Sequence, residues 1–246
     1  MAALPTASIV ARDVRVEYPI LQSTDRSLKR RFVSAATGGR IARDARDHVV
    51  VTAIDGISFT IGTGERVALV GHNGSGKTTL LRAIAGVYDP SGGSLEVNGT
   101  ISSFIDISIG FDPDATGMEN VYLRGFVMGM RRGDLADRLD DIREFSGLGD
   151  YLDLPLRSYS SGMLLRLAFA VATSLQRDIV LMDEWLSVGD ADFAARAEDR
   201  LREFVDRTSI LVLATHSDDL ATRFCNRRIE LRQGRVVSDD RIGSGG

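Results

Sequence analysis

Residues 71–79 read Gly-His-Asn-Gly-Ser-Gly-Lys-Thr-Thr, a complete G-x-x-x-x-G-K-[ST] phosphate loop, between an apolar run at 67–70 and a helix-like stretch that begins near Lys77. Few segments this short constrain a fold as much. Such a turn needs a strand leading in and a helix N-terminus leading out, because the converging backbone N–H groups and the positive end of the helix act on the same anion. The pattern therefore predicts an α/β chain that holds a nucleoside triphosphate. Gly71, Gly74 and Gly76 give the backbone its freedom, and His72, Asn73 and Ser75 complete the turn. Lys77 is expected to reach the β/γ-phosphates, and Thr78, followed by Thr79, to offer its hydroxyl to Mg²⁺.

Composition narrows the class. With 246 residues, 43% hydrophobic and 26% charged, the chain has enough material for one large core or a core with a satellite. No stretch approaches the roughly 18 uninterrupted apolar residues of a bilayer helix, and Arg12 and Asp13 stand where a secretory signal would need its apolar centre. The single Cys225 allows no internal disulfide, reads as a small buried hydrophobe and has no metal-ligating company. A formal charge of −4 argues against a nucleic-acid-coating surface. That charge is uneven. Residues 22–47 carry Arg26, Lys29, Arg30, Arg31, Arg40, Arg43 and Arg46 against Asp25, Asp44 and Asp47, with Gly38-Gly39 among them. This segment reads as a solvent-facing insert between two strands, either a plain loop or a surface for anionic headgroups or a membrane partner.

A second constellation lies about a hundred residues beyond the loop. The apolar run 179–182 ends in Asp183-Glu184, so two carboxylates emerge together at the carboxyl end of a buried strand, where α/β sheets build their sites. Asp183 is suited to orient Mg²⁺, and Glu184 to polarise a water attacking the γ-phosphate.

Between the two sites lies Tyr159-Ser160-Ser161-Gly162-Met163, at the start of a helix rich in apolar residues. This pentapeptide resembles the L-S-G-G-Q signature of ATP-binding cassette proteins, and its place between phosphate loop and acidic pair follows the order of that family. Ser160 matches the signature serine and Gly162 the second glycine, whereas Tyr159, Ser161 and Met163 depart from the pattern. A hydroxyl at Ser160 followed by free N–H groups, with Ser161 and Gly162 beside it, still makes an anion cap. Residues 187–190 resemble the family's D-loop, with Asp190 as its acid. Thr215-His216, after a strand-like run, resembles the switch histidine that contacts the γ-phosphate. Tyr18 resembles the aromatic residue that stacks on adenine, although its position also suits a core tyrosine. The resemblance implies ATP and Mg²⁺ as cofactors, with Lys77, Glu184 and His216 as the catalytic set.

Where the family places a glutamine after the strand that follows the phosphate-loop helix, this chain has Ile107, flanked by Asp106 and Ser108. The stretch 104–120 is instead similar to the L-L-E-L-G-x-G-F-x-P…T-G-x-E-N segment of cassette ATPases that export bacterial polysaccharides such as O-antigen, capsule and teichoic acid. Asp106, Gly110, Phe111, Pro113, Thr116, Gly117, Glu119 and Asn120 carry that match, and an insert like 22–47 is usual in such exporters.

The expected architecture is a single cassette over residues 1–246. It has a parallel α/β core, a small antiparallel layer from runs at 7–18, 49–61 and 94–97, and a helical subdomain at about 116–176. Leu135, Leu139, Ile142 and Phe145 predict one helix over 134–145, and the apolar run 121–130 reads as part core, part groove for a membrane subunit. A site made of Lys77, Thr78, Asp183, Glu184 and His216 lacks a donor on the far side of the γ-phosphate. A head-to-tail homodimer is therefore expected, each copy's signature closing on the other's phosphate loop. The resemblance further implies separately encoded transmembrane permease subunits, a peripheral place on the cytoplasmic face of the inner membrane, and export of a lipid-linked polysaccharide. The alternatives are a drug or nutrient cassette ATPase and a soluble cassette protein. Against the last, only 82 residues separate Lys77 from Ser160, which leaves no room for a long coiled coil.

Overall fold

Along the first strand the apolar residues change phase. Ile9 and Ala11 are buried at odd positions, Val14 and Val16 at even ones, while Arg12, Asp13, Arg15 and Glu17 are exposed. A strand shows one face every second residue, so such a slip requires an inserted residue. The computed structural model has a bulge there. Pairing slips between Ala11 and Val14, Asp13 adopts φ +49°, and its N–H donates to Ser58 Oγ at 2.9 Å. Opposite lies Gly93 at φ +75°, where a Cβ would fall 2.2 Å from Asp13 O, so only glycine fits.

The structure describes residues 6–20, 41–43, 49–105, 110–184 and 191–242, without the side chains of 19, 20, 41–43, 49, 191 and 192. These residues form two units. The first comprises the described residues within 1–101, 178–185 and 209–246, and the second those within 102–177 and 186–208.

In the first unit, β1 (Ser8–Ile20), β2 (Ile41–Arg43), β3 (Val49–Gly62) and β5 (Gly92–Asn98) form an antiparallel sheet in the order β2-β3-β1-β5. The second sheet is built around β4 (Arg66–Val70), whose neighbours β8 (Ile210–Ala214) and β9 (Arg227–Arg232) both run parallel to it. Beyond β8 lies the parallel β7 (Ile179–Asp183), and β10 (Arg235–Arg241) folds back antiparallel on β9. The sheet order is β10-β9-β4-β8-β7-β6, and the chain passes to the second unit within β6 (Ile101–Ser103). β4, β7 and β8 are near-continuous apolar runs because each is covered on both faces, as parallel strands require. Helix α1 (Lys77–Ile84) follows β4 and buries Leu80, Leu81 and Ile84.

The second unit is helical: α2 (Gly117–Val127), α3 (Arg132–Ala136), α4 (Leu139–Ser146) and α5 (Ser161–Thr173), two short 3₁₀ turns (Gly149–Asp153 and Leu156–Ser158), and α6 (Ala191–Asp206). α2 begins with a capping box in which Thr116 N donates to Glu119 Oε2 at 2.8 Å and Glu119 N to Thr116 Oγ1 at 3.2 Å. The single helix expected over 134–145 is two helices, α3 and α4. Leu135 packs on Gly125 of α2, whereas Ile142 and Phe145 serve α4, which lies against α5. One apolar stripe thus has two partners, and the helix breaks between them. Phe145, Phe169 and Phe193 pack ring to ring, with Phe104 and Phe204 alongside. The Arg200 guanidinium sits 4.2 Å from the centre of the Phe145 ring, bonding Thr173 Oγ1 at 2.7 Å and both carboxylate oxygens of Asp141. The run 121–130 is divided: Val121 and Met130 are buried, while Leu123, Phe126 and Val127 are exposed. Among the described residues no helix is long and apolar enough to cross a membrane.

Candidate functional site

β4 delivers the chain to Gly71 at φ +149°, where a Cβ would lie 2.3 Å from Leu231 O and 2.7 Å from Ser75 Oγ. At Gly76, φ +109°, a Cβ would meet Ala53 O at 2.8 Å. Glycine is therefore obligatory at both ends of the loop, on conformational and steric grounds alike. Gly76 is also the N-cap of α1 and offers no side-chain acceptor, so the first-turn N–H groups depend on a partner from elsewhere. The Lys77 ammonium is buried against the loop, donating to Gly71 O at 2.6 Å and His72 O at 3.2 Å. Ser75 is fully buried, and its Oγ has no hydrogen-bond partner among the described residues. A buried hydroxyl with nothing to bond is costly unless something enters to meet it.

The loop opens on a cavity of about 560 Å³, lined by residues 73–79, by Val51, Thr52 and Ala53 of β3, and by Asp183 and Glu184. That volume suits a ligand of nucleotide size. Thr78 Oγ1 donates to Asp183 Oδ2 at 2.6 Å, so two hard oxygen donors meet at the carboxyl ends of β4 and β7. Among the described residues there is no cluster of three or more His, Cys, Asp or Glu that would hold a metal alone. A pair of protein oxygens is nevertheless what Mg²⁺ uses when phosphate and water complete its octahedron.

Glu184 adopts φ +70°, uncommon for a side-chain-bearing residue, with its N–H donating to Ala214 O at 2.8 Å. That turn swings its carboxylate out of the sheet, where Oε1 lies 2.7 Å from His216 Nδ1. An ionised carboxylate only accepts, so Nδ1 carries the proton in this contact. β7 and β8, paired in parallel, thus end with an acid and an imidazole side by side.

Tyr18 stands opposite Val51 across the β1–β3 ladder and so on the same sheet face as this lining residue. Its ring meets Tyr88 edge-on, centroids 5.1 Å apart at 73°. Burial raises the Tyr18 phenol pKa, opposed by the hydrogen bond with Thr79, a residue that lines the cavity. His72 is exposed, its Nδ1 3.0 Å from Asn73 O.

The first unit therefore gathers the loop, Asp183, Glu184, His216 and Tyr18. Ser160, Ser161 and Gly162 belong to the second unit, where Ser160 caps α5 by accepting from Met163 N at 3.2 Å. At Gly162 a Cβ would meet nothing closer than Ser160 Oγ at 3.9 Å among the described residues, whose packing therefore does not call for this glycine. Asp190, Ile107 and most of the 22–47 insert lie outside the described residues. Sequence reasoning missed Val51, Thr52 and Ala53 as cavity walls and Tyr88 as the neighbour of Tyr18. Only the pairing register of β3 reveals the first three, and nothing in the local pattern marks Tyr88.

Comparison with known proteins agrees with this geometry. Residues 54–187 match the family model described as ABC transporter. The chain is 40% identical over 232 residues to the O-antigen export system ATP-binding protein RfbE of Yersinia enterocolitica, covering 94% of this chain and 97% of the relative. It is 41% identical to RfbB of Klebsiella pneumoniae, an O-antigen export system ATP-binding protein, over 75% of each chain. Against the teichoic acids export ATP-binding protein TagH of Bacillus cereus it is 35% identical over 79% of this chain but only 35% of the relative. Among solved structures, an ATP-binding cassette captured as a dimer with ADP and Pi superposes with a TM-score of 0.70 at 18% identity, covering 96% of this chain and 100% of that one. A second, described as the ATP-binding subunit of an ABC transporter, gives 0.69 at 20% identity, over 95% and 90% of the two chains. Phosphate loop, acidic strand end and matched segment coincide in one stretch of sequence, and the chain belongs to the ABC transporter family.

Proposed function

We propose that this chain is the ATP-hydrolysing subunit of an ABC transporter that exports a lipid-linked polysaccharide of the O-antigen, capsule or teichoic acid type. The observation that carries the reading is the convergence of Lys77, the Thr78–Asp183 pair and the Glu184–His216 pair on one end of the first unit's parallel sheet. The Yersinia relative, matched over nearly the full length of both chains, supplies the cargo class.

In this reading residues 71–79 cradle the triphosphate, Lys77 exchanges its two carbonyl partners for phosphate oxygens, and the orphaned Ser75 hydroxyl gains a partner. Thr78 and Asp183 hold Mg²⁺, which when bound neutralises charge developing on the phosphates. Glu184 takes the proton of the attacking water on its carboxylate, and His216, holding Oε1 through Nδ1–H, keeps that carboxylate oriented. Tyr18 packs on the adenine. Ser160, Ser161 and Gly162 act on the triphosphate of a second copy, a role for which the uncrowded Gly162 backbone is suited, and Asp190 lies at the seam between copies. The protein works as a homodimer with separately encoded permease subunits, on the cytoplasmic face of the inner membrane.

Glu184→Gln tests the chemistry. Loss of a general base is expected to lower phosphate release by about 10²–10⁴-fold while ATP binding persists. Sizing with light scattering should then show an ATP-dependent dimer of the Glu184→Gln protein. Wild-type turnover in this variant, or in Lys77→Ala, would refute the assignment.

A further inference from the structure

The residue that departs furthest from the signature pattern is Tyr159, which replaces an aliphatic side chain with a phenol. In the second unit this phenol has a specific seat. Tyr159 is half-buried, and its Oη donates to Tyr151 O at 2.6 Å, a carbonyl that also accepts from Leu154 N at 2.9 Å and so belongs to the 3₁₀ turn Gly149–Asp153. Burial, reinforced by Asp153, raises the phenol's pKa, so it remains a donor. At Gly117, the first residue of α2, a Cβ would lie 2.1 Å from Tyr159 Oη and 3.1 Å from its ring. Gly117 does not need its glycine for a positive φ, since it is helical; it needs it to admit this ring.

The neighbouring backbone is laced together as well. Gly117 N donates to Leu154 O, Leu156 N to Ala115 O and Arg157 N to Pro113 O, all at 2.9–3.0 Å, and Arg157 pairs with Asp114. Segment 113–117 and segment 154–159 form one clasp, and the residue that leaves it is Ser160, the N-cap of α5. A leucine at 159 would fill the space but could not bond Tyr151 O. A phenol on a two-torsion side chain fixes the direction in which the chain departs.

We propose that Tyr159 is a positioning residue for the signature: through its bond to Tyr151 and its seat on Gly117 it sets the orientation in which Ser160, Ser161 and Gly162 meet the second copy's triphosphate. The inference rests on the homodimeric reading above. Because the clasp is also the start of α2, the signature's orientation follows any displacement of that helix.

The test uses the full chain. In a Glu184→Gln background, Tyr159→Phe removes only Oη, and Tyr159→Leu restores the family's aliphatic residue. Loss of one such hydrogen bond is worth about tenfold in an equilibrium. ATP-dependent dimerisation by analytical ultracentrifugation is therefore expected to weaken about tenfold in both variants. Turnover of Tyr159→Phe with Glu184 intact should fall comparably. The affinity of the single protomer for a fluorescent ATP analogue, measured below the dimerisation range, should change less than twofold. Gly117→Ala should reproduce the dimerisation defect and be partly rescued by Tyr159→Phe, which removes the clashing oxygen. Unchanged dimerisation and turnover would overturn the proposal, as would nucleotide affinity falling in step with dimerisation. If the Glu184→Gln parent binds ATP but forms no dimer at all, the homodimeric reading itself fails and the role of Tyr159 with it.

Discussion

Gly71→Ala asks how much of the phosphate loop is imposed by steric necessity. The added methyl carbon would sit 2.3 Å from Leu231 O and 2.7 Å from Ser75 Oγ, with the backbone at φ +149°. Gly64→Ala is the matched control, with φ +87° and nothing among the described residues within 4 Å of its Cβ. At Gly64 the cost is conformational alone, about 1–2 kcal/mol. At Gly71 the same kind of strain is joined by overpacking, about 1–3 kcal/mol. The methyl group must move a carbonyl of β9, the strand flanked by β4 and β10, whose Leu231 side chain is fully buried. We therefore expect Gly71→Ala to lose about 2–5 kcal/mol against about 1–2 kcal/mol for Gly64→Ala. Because relief comes most easily by shifting the loop, ATP affinity should collapse at Gly71 and be retained at Gly64. Urea unfolding followed by circular dichroism, with ATP titration of the same samples, separates the two. Equal midpoints for the two variants, or a Gly71→Ala protein that binds ATP normally, would refute the steric argument.

Other expectations follow from single contacts. Asn120 is fully buried, accepting from Asp112 N at 2.7 Å and donating to Asp112 O, Ala115 O and Thr116 O, so Asn120→Ala should cost about 2–4 kcal/mol and speed proteolysis at 112–116. The Arg227 guanidinium lowers the pKa of Asp239 below its unfolded value, so this pair stabilises the fold above the unfolded pKa, and the benefit is lost as pH falls through the depressed one. Asp239→Asn should accordingly be less stable than wild type at pH 7, with the two urea midpoints converging below the ordinary carboxylate range. Tyr18→Ala should weaken ATP but leave inorganic tripolyphosphate unaffected in competition calorimetry; equal losses for both would place Tyr18 in the scaffold rather than against the base. Thr78→Ala should raise the Mg²⁺ concentration for half-maximal ATPase activity, since it deletes one of the two oxygens that meet at 2.6 Å.

The phosphate loop and the acidic strand end were legible because their chemistry is local: contiguous residues supply the turn, the helix N-terminus and the carboxylates, and the order of strand and helix is written in the same short stretch. The first unit's walls were not. Val51, Thr52 and Ala53 reach the cavity from β3, whose pairing with β1 slips between Val16 and Glu17 and so sets Tyr18 opposite Val51, a register no local pattern reveals. The single helix that periodicity predicts over 134–145 is two helices for a related reason. Periodicity reports which residues are buried, not how many partners bury them, and Leu135 and Ile142 answer to different helices.

Tyr159 marks the same limit from the other side. As a departure from a motif it carried no meaning in the sequence, and nothing near Gly117 suggested that this glycine was required by a ring 42 positions away. Substitutions in a signature motif are therefore best judged together with the residue whose space they occupy. A phenol at 159 beside alanine at 117 would be a clash, and leucine beside glycine fills the space without the bond to Tyr151 O, so positions 117 and 159 are expected to change together among proteins that share this clasp. Cassettes that pair glycine at the first position of α2 with leucine in the signature, without loss of activity, would separate the two positions and weaken the case that their contact orients Ser160.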